Sequence, residues 1–155
     1  MAWTNDDGLE VRFGTERTEV NLTGRTSATP KTLTVSIPDA TALADADTAA
    51  AAGDDAFLPS GAVITSAYFV VDTAFTSGGS AVLDIGLKAL NGTLIDDDGL
   101  IAASAVAGLT ANSVKVGGGA LIATRVTQDA AVAVSYDTAA FTAGAGKLVV
   151  NYIEL

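Results

Sequence analysis

The stretch Phe57 to Lys88, FLPSGAVITSAYFVVDTAFTSGGSAVLDIGLK, decides how the chain is read. It holds the longest apolar run of bulky residues, Ala67-Tyr68-Phe69-Val70-Val71, then a turn cluster, Ser77-Gly78-Gly79-Ser80, and a returning run, Ala81 to Leu87. Two β-branched and aromatic runs separated by Gly and Ser predict a hairpin or a pair of linked antiparallel strands. The outgoing run is apolar at both parities: Val63, Ala67, Phe69 and Val71 on one, Ile64, Tyr68 and Val70 on the other. That predicts a strand buried on both faces, inside a stack of sheets. The returning run alternates, with Leu83, Ile85 and Leu87 inward and Asp84 marking the wetter side.

Working outward, Lys31 to Pro38 is a clean alternating strand, Leu33, Val35 and Ile37 against Thr32, Thr34 and Ser36. Asp39 to Asp55 is rich in Ala and Asp and lacks large apolar anchors, so it reads as a surface loop with at most one helical turn. Asp45, Asp47, Asp54 and Asp55 in it read as a solvated acidic loop rather than a cation site. Asn91-Gly92 signals a turn. Asp96-Asp97-Asp98-Gly99 resembles part of a calcium loop, but no Glu lies between Glu19 and Glu154, so the distal ligand of an EF-hand is missing. Asp96 or Asp98 is instead expected to cap a short helix at about 98–106. Further strands are expected at Ser113–Val116, Ala120–Ala123, Ala131–Tyr136 and Lys147–Ile153.

One piece of sequence recurs. Asp72-Thr73-Ala74-Phe75-Thr76-Ser77-Gly78 is echoed by Asp137-Thr138-Ala139-Ala140-Phe141-Thr142-Ala143-Gly144. The expected reading is mechanical: Asp bonds backbone N–H groups, Phe plugs the end of a core, and Gly supplies positive φ. Such pieces predict two similar connections at one end of a sandwich. About eight strands with regular turn signals predict an all-β, two-sheet antiparallel sandwich, a jelly roll by preference and an immunoglobulin-like sandwich as the alternative. Residues 31–155 form that domain, and residues 1–30 read as an N-terminal arm or edge strand of the same unit.

Composition narrows the chemistry. At 155 residues the chain has the length of one domain. It has no Cys and no His, which removes thiolate ligands, imidazole ligands and every Ser-His or Cys-His arrangement. No catalytic, cofactor-binding or metal-ligating residue is assigned and no cofactor is expected. Carboxylate chemistry by Asp72 and Asp137 remains the least favoured option. The first residues lack a basic region and an apolar core, so synthesis in a cytoplasm without export by a signal peptide is expected.

The net charge of −10 is uneven. Residues 1–31 carry four basic against five acidic side chains, and residues 32–155 carry four against thirteen. An acidic body argues against nucleic acid and supplies no case for a membrane partner. The balanced front end reads as a different surface. Trp3 and Phe13 as apolar anchors, with Arg12, Arg17 and Arg25 as charge partners, are the candidate contact residues, because Trp and Arg anchor interfaces best. Trp3 as a frayed terminus and Phe13 as an ordinary core residue are equally open.

Several pieces together resemble structural proteins of tailed bacteriophages. They are Asp7-Gly8-Leu9-Glu10-Val11-Arg12-Phe13-Gly14-Thr15-Glu16, Leu58-Pro59-Ser60-Gly61-Ala62, Leu83-Asp84-Ile85-Gly86-Leu87, Asp96-Asp97-Asp98-Gly99-Leu100-Ile101-Ala102-Ala103 and the piece from Tyr136 to Gly144. The resemblance spans nearly the whole chain and its motifs are structural in character. It implies a head decoration, or capsid cement, protein. Such a protein is a small β-sandwich on the outer surface of the virion, often a homotrimer, with the major capsid protein as partner and no catalytic residues. A tail, fibre or receptor-binding module is the alternative function. A calcium-dependent carbohydrate binder or a glycosidase ranks third.

Overall fold

The computed structural model describes residues 2–4, 10–12, 30–45 and 56–154. Eleven strands are present among them: β1 (Ala2–Thr4), β2 (Glu10–Arg12), β3 (Pro30–Ile37), β4 (Ala44–Asp45), β5 (Phe57–Leu58), β6 (Ala62–Ser77), β7 (Val82–Ala89), β8 (Leu94–Ala105), β9 (Val114–Val116), β10 (Ala130–Asp137) and β11 (Phe141–Glu154). The only helical pieces among the described residues are single 3-10 turns at Ala40–Ala42 and Val106–Gly108.

Two sheets make the sandwich. The first runs β3-β11-β6-β9, and every pair in it is antiparallel. The second runs β4-β10-β7-β8, with β5 also on β10. Its pairs are antiparallel except the short β4–β10 contact. Strands β1 and β2 form a separate antiparallel pair, with Trp3 opposite Val11.

Residue chemistry explains the first sheet. In β3, Val35 and Ile37 are buried while Thr32, Thr34 and Ser36 face water, as the alternation predicts. In β6, two-faced burial is not what forms. Ala62, Ile64, Ala67, Phe69 and Val71 point inward and are almost fully buried. The pairing with β11 slips between Ser66 and Ile64, so one extra residue sits at Thr65. A bulge of this kind switches the parity of the strand, which puts Ile64 on the same face as Ala67 and leaves Val63, Tyr68 and Val70 outward. The strand is central in its sheet, between β11 and β9, but its outer face is wet.

The strand covered on both faces is β10. Val132 and Val134 face the core, and Ala131, Ala133 and Ser135 on the opposite parity are also buried, at 5%, 2% and 1% exposure. Small side chains there leave room for a covering layer. On the neighbouring strand, Asp84 was expected on the wet side, yet it is only 5% exposed. Part of the cover is β8. One residue lies between Ile85 and Leu87, while four lie between their partners Ile101 and Asp96, so β8 bulges over β7. It closes directly on Gly86, where a Cβ would overlap the carbonyl oxygen of Asp96. Only glycine permits that approach.

The predicted helix at 98–106 is not formed. That segment is the second half of β8, followed by the 3-10 turn. Alanine favours helix weakly, and pairing with β7 from Ile101 to Ala105 outweighs it. Ala120–Ala123, read as a strand, is a turn, with Ala123 at φ 61°. In the Ala/Asp-rich loop, Asp39 caps the first 3-10 turn by accepting from the Thr41 N–H at 2.9 Å.

The repeated Asp-Thr-Ala…Phe-Thr pieces meet. β6 crosses to β7 at residues 78–81, and β10 crosses to β11 at residues 138–140, so both crossings lie at one end. There Phe75 and Phe141 stack edge to face with centroids 5.1 Å apart, and Phe69 extends the cluster at 5.8 Å. The hydroxyls of Thr76 and Thr142 share a hydrogen bond of 2.8 Å. Gly144, at φ 146°, lies against the Phe75 ring where a Cβ would sit 2.5 Å from it. The two pieces differ in one respect: Asp72 to Ser77 stays inside β6, whereas Thr138 to Ala140 is a true connection.

Phe141→Ala is therefore expected to cost about 3–5 kcal/mol of unfolding free energy by urea denaturation. A loss under about 1 kcal/mol would show that the aromatic plug does not close the sandwich.

Candidate interaction surfaces

The outer face of the first sheet is nearly balanced in charge. Lys147 and Asp72 lie on it, Lys31 and Glu154 sit at the ends of β3 and β11, and Lys115 lies on the opposite parity, in register with the buried Phe69. Lys31 pairs with Glu154 at 2.6 Å and Lys147 with Asp72 at 3.7 Å, both in exposed positions. The hydrogen bond to Glu154 pushes the Lys31 ammonium up from its usual range. A polar row crosses the sheet: Thr32 Oγ1 donates to Asn151 Oδ1 at 2.9 Å, and Asn151 Nδ2 donates to Ser66 Oγ at 3.0 Å. Toward the β9 edge the face turns apolar. Register puts Val116 beside Tyr68 and Val114 beside Val70. Val114 and Val116 are 54% and 69% exposed, and Tyr68 is 37% exposed. The sequence shows Val114-Lys115-Val116 as an alternation. It does not show which parity faces out.

The second sheet is acidic. Its strands carry Lys88 against Asp45, Asp84, Asp96, Asp97, Asp98 and Asp137. Burial, then the charges of Asp97, Asp137 and Asp98, push the Asp84 carboxyl up to about 6. Burial and the Asp98 carboxylate beside it also push Asp96 up. Asp39 moves the other way, because the Thr41 hydroxyl and N–H donate to its ionised form. Asp137 accepts from the Thr138 N–H at 2.6 Å, where Thr138 adopts φ 72°.

Of the sequence-predicted contact residues, Trp3 and Arg12 lie on the β1–β2 pair, where Arg12 is opposite Ala2. Phe13, Arg17 and Arg25 lie outside the described residues, as do Asp47, Asp54 and Asp55 of the acidic loop. Asp72 and Asp137 belong to different sheets, and each has a local role, an ion pair and a turn bond.

No protein-family model matches the sequence, and no curated protein matches it. Solved structures do share the fold. A chain in the capsid of Ralstonia phage GP4 superposes with a TM-score of 0.58 at 21% identity, over 82% of this chain and 85% of that one. A chain of the cyanophage Pam1 capsid asymmetric unit superposes with a TM-score of 0.56 at 17% identity, over 100% of both chains. This chain thus has the fold of proteins found in phage capsids.

Asp84 sets a pH dependence. The folded state holds its proton more tightly than the unfolded chain does, since its range moves from 3.8 to about 6. The penalty is absent below the unfolded value, grows as pH rises through the folded value, and is complete above it. In metal-free buffer Asp84→Asn is expected to stabilise the fold at pH 7.5, on the order of 1 kcal/mol after screening, and not at pH 4. An equal gain at both pH values would refute the assignment.

Proposed function

We propose that this chain is a non-enzymatic decoration, or cement, protein that binds the outside of a phage head and reinforces contacts between capsomers of the major capsid protein. The observation that carries the proposal is the full-length fold match to a chain of a phage capsid asymmetric unit. The strand order supports the jelly-roll reading of the sandwich. β6 pairs with β11 and β7 with β10 as nested pairs, and from β5 onward consecutive strands alternate between sheets except where β8 turns back beside β7.

A cement protein needs no reaction chemistry, and the residue types present agree with that. It works by adding buried area across seams between capsomers. Each copy contributes an interface-scale energy, and the lattice multiplies it through avidity. The balanced outer face of the first sheet, with its exposed Val114 and Val116, meets another protein with less electrostatic opposition than the acidic second sheet does. Residues 1–30 act as an arm that adds contacts through Trp3, Arg12, Phe13, Arg17 and Arg25, and a homotrimer is the favoured assembly.

The test is to mix the purified protein with expanded, undecorated heads of its own phage and sediment the mixture. Saturable co-sedimentation at a stoichiometry matching a capsid symmetry axis is the expected result. Absence of binding by a monodisperse protein would move the assignment to a tail or fibre module. A variant lacking residues 2–14 is expected to bind at least about tenfold more weakly, a loss of about 1.4 kcal/mol. Undiminished binding would remove the arm from the contact.

A further inference from the structure

The first sheet ends in an open strand. β9 lies at the end of the order β3-β11-β6-β9, and no described strand pairs with its far side. Its ladder to β6 fixes which backbone groups are spare. The Val71 N–H donates to the Ser113 carbonyl at 2.9 Å, and the Gly117 N–H donates to the Ala67 carbonyl at 2.7 Å. Lys115 stands in register with Phe69 between them. Residues 113, 115 and 117 therefore turn their backbone toward β6. Val114 and Val116 turn theirs away, so the N–H and C=O groups of both line the edge. The side chains of the same two residues stand on the outer face, more than half exposed, beside Val70 and Tyr68. The opposite edge of the sheet, β3, offers Thr32, Thr34 and Ser36 on that face instead.

Charge sets this edge apart as well. The chain has 18 acidic residues and a net charge of −10, yet no acid lies between Asp98 and Asp129. Lys115 and Arg125 are the cations in that interval. Neither forms an ion pair among the described residues, whereas Lys31 and Lys147 each do. Both belong to the same rim. Lys115 is the middle residue of β9, with its ammonium over the Gly108 turn, and Arg125 bridges to Val63 farther along β6. A second β9 is a poor partner, since antiparallel pairing centred on Lys115 would set like charges opposite each other.

We propose that the β9 edge accepts an extended segment of a partner protein as an added strand, and that this segment is acidic with β-branched residues at alternate positions. Its backbone pairs with Val114 and Val116, and its β-branched side chains continue the apolar outer face beyond them. Its carboxylate lies on the other parity and meets Lys115. The inference deepens the decoration reading, on which it rests only in taking the partner to be a capsid chain.

The probe is a blocked, fluorophore-labelled peptide, Thr-Val-Asp-Val-Asp-Val-Thr, titrated with the full chain in low salt and followed by anisotropy. The control peptide has Lys at both Asp positions. The expected result is saturable binding of the acidic peptide in the submillimolar range, with the basic peptide at least about tenfold weaker. The affinity should fall as NaCl is added. Val116→Pro removes one edge N–H and no ladder bond to β6, so the fold survives while the acidic peptide binds at least about tenfold more weakly. Lys115→Glu should reverse the preference in favour of the basic peptide, which a folding defect would not do. Absence of saturable binding up to about 2 mM, equal binding of the two peptides, or an unchanged preference in Lys115→Glu would each overturn the proposal. Undecorated heads separate the two claims. Peptide binding without head binding keeps the edge site and removes the decoration role, whereas head binding unchanged by Val116→Pro keeps the role and overturns the edge site.

Discussion

The ladder between β6 and β11 is the constraint on which the other elements depend. It runs from the Ala62–Glu154 pair to the Ser77–Phe141 pair and joins the middle of the chain to its end. The links from β6 to β7 and from β10 to β11 are short, residues 78–81 and 138–140. Once β6 lies beside β11, β7 is delivered beside β10 in the other sheet, and the two sheets face each other. The edge-to-face contact of Phe75 and Phe141 and the Thr76–Thr142 hydrogen bond seal the end where both crossings occur. Burial of Phe69, Ile64, Leu83, Ile85, Val132 and Leu148 between the sheets then stabilises the sandwich.

Much of this is legible in the residues. Period-two alternation identifies β3, β10 and β11, because each buries one parity in the core. The repeated Asp-Thr-Ala…Phe-Thr piece marks the shared end, since a Phe and a positive-φ glycine have a mechanical use where strands change sheets. The resemblance to phage structural proteins agrees with the fold seen in two phage capsids.

What stayed illegible has physical reasons. Parity in β6 is broken by one extra residue at Thr65, and no side chain there announces a bulge. The Ala-rich segment after Gly99 has helical propensity, but a strand partner decides its state. Asp84 reads as a solvent marker until β8 is seen folded over Gly86, a contact between segments that alternation cannot reveal. The exposed Val114 and Val116 look like core residues for the same reason. Of the contact residues chosen by type, the β1–β2 pair holds Trp3 and Arg12, and the pairing of that hairpin was not encoded in any periodicity.

The proposed role in a virion head rests on a fold shared with chains of two phage capsids and on an acidic sheet set against a balanced one. The most direct measurement is the copy number of this chain per purified virion, by quantitative mass spectrometry against the major shell protein. The account predicts copies in the hundreds, in a fixed ratio to the shell lattice. A count of a few to tens, matching a tail or fibre, would contradict it.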